Sequence, residues 1–165
     1  MKKIFAPWRA EYIEDGTDQD GCIFCDHPEE GEDEEYYILY RGDKAFVMLN
    51  TYPYNPGHLL IAPYRHVGSY TDLEDEEFLE IMKISKLFVK AIREVMEPDG
   101  FNMGFNIGRT AGAGIDDHVH YHVVPRWNGD TNFMPILSDT KVISESLERS
   151  YNKIKEKVEE IDEDI

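Results

Sequence analysis

Three of the six histidines in this chain lie within five residues, at His118, His120 and His122. Valine and tyrosine alternate with them, and this period of two is that of a β-strand, in which successive side chains point to opposite faces. The spacing therefore predicts three imidazoles side by side on one face of a strand. Three neighbouring buried imidazoles would each need hydrogen-bond partners, which makes them a costly way to fill a core. The pattern favours a metal site or, better, a nucleophilic imidazole.

A glycine-rich loop comes directly before the histidines. Its small residues let backbone N–H groups approach an anion closely, without side-chain charge. Beside a nucleophilic imidazole, such a loop predicts a phosphate group held for attack, with Arg109 as a further ligand or as an exposed side chain. The chain contains no Gly-Lys-Ser/Thr sequence, which excludes the phosphate site of P-loop kinases. The amides that we expect to bind phosphate are those of Gly112, Ala113, Gly114 and Ile115.

The two cysteines of the chain, Cys22 and Cys25, are separated by two residues. A structural disulfide does not fit a cytoplasmic chain, and a thioredoxin-like redox pair is disfavoured because no strand precedes the motif. A zinc site needs four ligands, so histidine would have to complete it. His27 is a candidate, although a histidine in a polar loop is more simply an exposed side chain.

Charge and hydropathy restrict the partners of the chain. Its 17 basic and 34 acidic side chains give a net charge of −17, which counts against a duplex nucleic-acid partner. The acidic runs at 29–35 and 159–164 predict a solvated loop and a frayed terminus. No stretch approaches the roughly 18 uncharged apolar residues of a membrane span, and the first residues lack the apolar core of a signal peptide. We expect a cytoplasmic protein with no membrane partner.

The remaining pattern predicts one α+β domain over residues 1–165, because strands joined by short turns gather around one long helix. That helix is predicted over Thr71–Glu97, with Thr71 and Glu74 forming a capping box. A final helix is predicted over 141–160. The sheet is predicted to be largely antiparallel, with a hairpin turn at Gly42-Asp43. The predicted strands are Tyr36–Arg41, Lys44–Leu49, His58–Ala62, Asn102–Ile107 and His118–Val124.

Apolar residues at helical spacing predict the buried face of each helix. On the long helix these residues are Phe78, Met82, Phe88, Ile92 and Val95. On the final helix they are Val142, Leu147, Tyr151, Ile154 and Val158.

The segment His118–Val124 matches the His-x-His-x-His-x-x signature, and through it the chain resembles the histidine triad (HIT) family of nucleotide hydrolases and transferases. The similarity covers about residues 22–135 and includes Leu49-Asn50, the Pro56–Pro63 segment and Asn106. The resemblance implies a HIT-like α+β fold with a five-stranded sheet, a long central helix and a C-terminal helix. It also implies a homodimer, formed by the long helix and the strand after Gly100, that splits nucleotides at the α-phosphate.

The resemblance also implies roles for individual residues. His120 would be the nucleophile and form a nucleotidyl-histidine intermediate, while His122 would contact the α-phosphate and charge the site in its protonated form. His118 and His58 would support orientation. Asn50 would bind the ribose hydroxyls, and Asn106 lies among the expected nucleotide-binding residues. In the zinc-bearing branch of the family the ligands correspond to Cys22, Cys25, His66 and His118.

Three features resemble one branch, the bacterial diadenosine tetraphosphate phosphorylases of the triad type. They are the opening segment 5–13, the loop Gly112–Ile115, and Pro125-Arg126-Trp127 with the residues that follow. Ala113-Gly114-Ile115 replaces the family's common Gly-Gln-Ser/Thr, which disfavours an ordinary hydrolase. We therefore expect phosphorolysis of diadenosine tetraphosphate to ATP and ADP.

The expected acceptor is inorganic phosphate, oriented by Arg126 or Arg9, with Trp127 in the nucleotide site. The alternatives are a hydrolase of dinucleoside polyphosphates or nucleoside phosphoramidates, and a non-catalytic nucleotide- or zinc-binding protein.

Overall fold

The computed structural model describes residues 21–130 and 145–162 of the chain. Within those ranges, no helix is long and apolar enough to cross a bilayer. The opening segment with Arg9, Val142 and the first residues predicted for the final helix lie outside the described residues. The elements in chain order are α1 (Ile23–Glu30), β1 (Ile38–Arg41), β2 (Ala45–Leu49), β3 (Leu59–Pro63), α2 (Asp75–Met96), β4 (Gly100–Phe105), β5 (Tyr121–Arg126) and α3 (Leu147–Asp162).

The five strands form one sheet in the order β1-β2-β3-β5-β4, and every neighbouring pair is antiparallel. At the predicted hairpin, the N–H of Gly42 donates to the carbonyl of Ala45 at 2.8 Å. The carboxylate of Glu80 on α2 accepts from the backbone N–H groups of Asp43 and Lys44 at 2.7 and 2.8 Å, which ties the turn to the helix. The predicted α+β class with an antiparallel five-stranded sheet is confirmed.

The two faces of the sheet bury different clusters. Leu49, Ile61 and Val123 point to the face covered by α2 and α3, where the larger core lies. Phe46 and Leu60 point to the opposite face and pack in a smaller cluster with Phe24 of α1. Because side chains alternate along a strand, His122 lies on the α1 face, opposite its neighbour Val123. The histidines therefore lie on the side of the sheet that α1 covers.

Helix α2 begins four residues later than predicted. The capping box is formed by Glu74 and Glu77, and the carboxylate of each accepts a hydrogen bond from the backbone N–H of the other. Thr71 belongs instead to a separate 3-10 turn, Tyr70–Asp72, which Ser69 caps by accepting from the N–H of Thr71. The predicted Thr71–Glu74 capping box is wrong, because the 3-10 turn and the first turn of α2 both carry side chains that can cap a helix.

The buried face of α2 is also shifted around the helix. Phe78, predicted as core, is 41% exposed, while Ile81, Ile84, Phe88 and Ile92 are buried. Met82 and Val95 lie at the edge of this face and are partly buried against the core.

Helix α3 confirms the predicted burial of Tyr151, Ile154 and Val158, with Leu147 partly buried. It begins at Leu147 because the Ser146 hydroxyl accepts from the N–H of Arg149 and caps the first turn.

Candidate active site and metal centre

The three triad imidazoles form one row on the α1 side of the sheet. Strand β5 begins at Tyr121 rather than at His118, since the preceding segment leaves the sheet and the N–H of Val119 donates to the carbonyl of Val67 at 2.6 Å. The alternation nevertheless continues, so the row predicted from the sequence is present. All three histidines are buried, and the ring centroids of His120 and His122 are 4.9 Å apart.

One hydrogen bond fixes the tautomer of His120. Its Nδ1 lies 2.8 Å from the carbonyl oxygen of His118. A carbonyl can only accept, so Nδ1 carries the hydrogen and Nε2 keeps its lone pair. Nε2 has no hydrogen-bond partner among the described residues. It is nevertheless not completely buried. Burial lowers the pKa of His120, which favours the neutral ring. The arrangement presents a nucleophilic nitrogen.

A second chain of hydrogen bonds fixes His122. The backbone N–H of Tyr54 donates to Nδ1 of His58 at 3.1 Å, so neutral His58 carries its hydrogen on Nε2. That Nε2–H donates to Nδ1 of His122 at 2.9 Å. His122 in turn carries its hydrogen on Nε2. Nδ2 of Asn106 lies 3.2 Å from this atom and is also a donor, so the two do not hydrogen-bond in this tautomer. The predicted positioning role of His58 thus has a geometric basis.

The structure favours the neutral form of His122 over the protonated form expected from the sequence. Burial, and then the neighbouring His120, lower the pKa of His122 to about 3. The neutral ring offers an N–H dipole to a phosphate group rather than a full positive charge.

Asn50 belongs to the same network. Its side-chain oxygen accepts from the N–H of Tyr52 at 2.9 Å, and its Nδ2 lies 3.3 Å from Nδ1 of His58. The ribose-binding role of Asn50 stays a prediction.

The glycine loop offers fewer free amides than the sequence predicted. The N–H of Gly112 donates to the carbonyl of Arg109 at 2.9 Å, and the N–H of Ala113 points to the carbonyl of Gly108 at 3.4 Å. This tight turn needs the positive φ angles of Gly108 and Gly112, 78° and 94°. Of the four predicted amides, those of Gly114 and Ile115 have no backbone partner among the described residues.

Arg109 is also bound within this loop, by a 3.0 Å ion pair with Asp116. Its side chain is 67% exposed, which fits the expectation of an exposed side chain and not that of a phosphate ligand.

Arg126 and Trp127 are not brought to the triad. Five residues lie between His120 and Arg126, and an extended chain of that length spans about 20 Å. The guanidinium binds the Asp130 carboxylate through Nε at 2.6 Å and through its second terminal nitrogen at 2.9 Å. The indole N–H of Trp127 donates to the carbonyl of Met96 at 3.3 Å. Both predicted site residues are engaged at the far end of β5.

Four side chains from three segments converge into a cluster of potential metal ligands: Cys22, Cys25, His66 and His118. Their donor atoms all lie within 4.8 Å of one another, and two sulfur–nitrogen pairs, Cys22–His118 and Cys25–His66, are each 3.3 Å apart. Tetrahedral zinc with bonds of about 2.0–2.3 Å needs donor separations of about 3.3–3.8 Å. The cluster fits that ion after small adjustments.

The tautomer of His118 suits a metal ligand. Its Nε2–H donates to the carbonyl of Pro63 at 2.9 Å, which leaves the lone pair of Nδ1 facing the two thiols. Burial and the Cys22 thiol raise the pKa of Cys25 to about 11, so a metal must displace a proton there. His27, the alternative ligand, stacks on Tyr36 with ring centroids 4.0 Å apart and is not in the cluster.

The HIT domain family model matches residues 32–129, a span that includes all three triad histidines. The chain belongs to the HIT domain family. The AP-4-A phosphorylase of Mycobacterium tuberculosis is 38% identical to this HIT protein in an alignment of 155 positions, which covers 89% of this chain and 79% of the relative.

Two solved structures of histidine triad proteins resemble this HIT protein. A histidine triad nucleotide-binding protein from Sulfolobus tokodaii superposes with a TM-score of 0.71 at 30% identity, covering 87% of this chain and 96% of the other. A zinc-bound histidine triad family protein from Mycobacterium smegmatis superposes with a TM-score of 0.69 at 25% identity, covering 88% and 98%.

The sequence analysis did not predict three residues of this site. Phe24 contacts His120, Tyr54 supplies the N–H that fixes His58, and the carbonyl of Pro63 orients His118. Phe24 could have been noticed, because it lies between the two cysteines of the metal motif. The other two act through backbone atoms, which leave no mark in the residue type.

Acidification should destabilise this HIT protein through His122. The native pKa is about 3 against an ordinary value of 6.5, so between these pH values the unfolded chain binds a proton that the folded chain does not. Stability is therefore lost as pH falls through 6.5, by ~2 kcal/mol at pH 5 from this residue. Denaturant unfolding at pH 7 and pH 5 measures the loss. In His122→Gln the loss should shrink by about that amount, and an unchanged pH dependence would contradict the neutral buried ring.

Proposed function

We propose that this HIT-family enzyme carries out nucleotidyl transfer through a nucleotidyl-His120 intermediate, and that its reaction is the phosphorolysis of diadenosine tetraphosphate to ATP and ADP. The observation that carries the proposal is the hydrogen bond from Nδ1–H of His120 to the His118 carbonyl, which leaves a lone pair on Nε2. The choice of dinucleotide is supported by the similarity to a protein named AP-4-A phosphorylase.

In the first step, Nε2 of His120 attacks the α-phosphorus of the dinucleotide. A P–N bond forms, and the bond from that phosphorus to the bridging oxygen breaks, so ATP leaves and an adenylyl group stays on the ring. The imidazole becomes positively charged, and its Nδ1–H bond to the His118 carbonyl strengthens as the charge develops. The Nε2–H of His122 and the amides of Gly114 and Ile115 would donate to the phosphoryl oxygens.

In the second step, an oxygen of inorganic phosphate attacks the same phosphorus. The P–N bond breaks, ADP leaves and the lone pair returns to Nε2. Water in place of phosphate would release AMP, which is the hydrolase alternative. The two readings therefore differ only in the acceptor, and phosphate is favoured by the loop sequence Ala113-Gly114-Ile115 and the similarity to the phosphorylase.

We also propose that the Cys22, Cys25, His66 and His118 cluster holds a structural zinc ion. When bound, zinc supplies cross-linking of α1 to the segments that carry His66 and His118, and no chemistry at the substrate. The two thiols must be reduced to bind it, which fits the cytoplasmic location expected from the sequence.

The protein is further proposed to form a homodimer through β4, which is an edge strand of the sheet. Met103 on this strand is 42% exposed, although an exposed edge with apolar side chains is normally protected. Beside it, Tyr70 and Phe78 stack on Phe105 and are 48% and 41% exposed. A second copy packed around a two-fold axis would pair the edges and cover these rings.

The acceptor can be tested with diadenosine tetraphosphate in the presence and absence of phosphate. With phosphate we expect ATP and ADP in equal amounts, and without it at least about a tenfold lower turnover. His120→Ala should abolish both activities while the protein still folds and binds nucleotide, because the imidazole is a reactant. Product analysis by ion-exchange chromatography measures this. Undiminished turnover to ATP and AMP without phosphate would show a hydrolase instead.

The metal proposal predicts about one zinc per purified chain. Cys22→Ser should lower the zinc content and the melting temperature together, because binding energy at such a site is folding energy. His27→Ala is the matched control, since His27 also lies on α1 but outside the cluster, and its zinc content should be unchanged. Mass spectrometry of the metal and thermal unfolding give both readouts. Full zinc content in Cys22→Ser, or loss in His27→Ala, would contradict the ligand assignment.

The dimer proposal predicts a symmetric dimer by light scattering, and a shift to monomer in Met103→Glu, because each copy would place an unpaired carboxylate in the interface. Tyr52→Glu changes another exposed large side chain, 56% exposed and outside β4 and α2, and this variant should stay dimeric. A monomeric wild-type protein at assay concentration would exclude the proposal.

A further inference from the structure

Phe24 lies in the first turn of α1, between the two cysteines of the metal cluster. Its side chain is 1% exposed, so a substrate cannot stack on it. The ring packs with Phe46 at a centroid distance of 6.4 Å and belongs to the small cluster beneath α1. Any effect of Phe24 on the reaction must therefore pass through another residue.

That residue is His120. The ring centroids of Phe24 and His120 are 4.7 Å apart with planes 30° from parallel, and the same phenyl ring lies 5.2 Å from His118. The hydrogen bond of Nδ1 fixes one edge of the His120 ring but leaves rotation about that contact open. The phenyl ring restricts this rotation, because it lies against the face of the imidazole.

The position of Phe24 is in turn set by its neighbours in the sequence. Cys22 and Cys25 bracket it, and their sulfur atoms lie 3.3 Å from His118 and His66, respectively. The same His118 provides the carbonyl that holds His120. The cysteine–histidine cluster is thus connected to His120 in two ways, through the backbone carbonyl of His118 and through the ring of Phe24.

We propose that Phe24 is a positioning residue, which the cysteine–histidine cluster holds against the imidazole of His120 so that Nε2 points at the substrate. The inference rests on the proposed function of His120 as nucleophile. It assigns to the metal motif a role in the reaction geometry as well as in folding.

The test compares Phe24→Leu with Phe46→Leu as the matched control. Both remove a buried ring from the same cluster, but the ring contacts of Phe46 are a tilted one with Phe24 and a stacked one with Tyr64, and not one with His120. Phe24→Leu should lower kcat at least about tenfold with KM within about threefold of wild type, because small misorientation of a reacting group is costly. Phe46→Leu should change kcat less than about twofold. Zinc content and melting temperature are measured for both variants.

A second readout does not depend on turnover. The Nδ1–H of His120 should give a slowly exchanging imidazole proton signal in NMR spectra, assigned by its loss in His120→Ala. Phe24→Leu should broaden or remove this signal, and Phe46→Leu should retain it. If Phe24→Leu does not fold, Phe24→Met, which fills the space with a flexible chain, is measured in its place.

Equal losses in the Phe24 and Phe46 variants, or an intact kcat and proton signal in Phe24→Leu, would overturn the proposal. If the wild-type protein transfers no nucleotide at all, the proposed function fails. The NMR comparison then still decides whether Phe24 orders the His120 ring.

Discussion

The hydrogen bond between Nδ1–H of His120 and the carbonyl of His118 determines which atom of the triad can react. Of the two neutral tautomers that an imidazole can adopt, it selects the one that presents a lone pair at Nε2. The bond depends on the chain leaving the sheet before Tyr121, because a carbonyl paired in the strand ladder would be less available to a side chain. The late start of β5 therefore leaves this carbonyl outside the strand and available to the His120 ring.

The proposed zinc ligands and the proposed active site share His118. Its ring faces Cys22 and Cys25 through Nδ1 and donates to Pro63 through Nε2, while its carbonyl holds His120, the proposed nucleophile. Each of these contacts uses a different atom, so none competes with another. A short helix with few buried residues of its own is thereby tied to the sheet beside the reacting atom.

The sequence predicted the parts of the structure that follow from side-chain pattern. The alternation around His120 and the spacing of Cys22 and Cys25 identified both centres, and the strands and long helix were placed within a few residues. Contacts that depend on backbone atoms or on competing local caps were missed. Thr71 and Glu74 have the spacing of a capping box. In the folded chain, however, Ser69 caps the 3-10 turn and Glu77 forms the capping box with Glu74. Arg126 was assigned to the phosphate site because residue type does not reveal that Asp130 already binds it.

The central claim is that Nε2 of His120 becomes covalently adenylylated. Rapid mixing with diadenosine tetraphosphate in phosphate-free buffer, a quench that preserves phosphoramidates, and intact-mass analysis with fragment mapping test it directly. We predict one adenylyl group per chain, located on His120, which disappears when phosphate is added and yields ADP. An adenylyl group on His58 or His122, or turnover without any covalent adduct, would contradict the account.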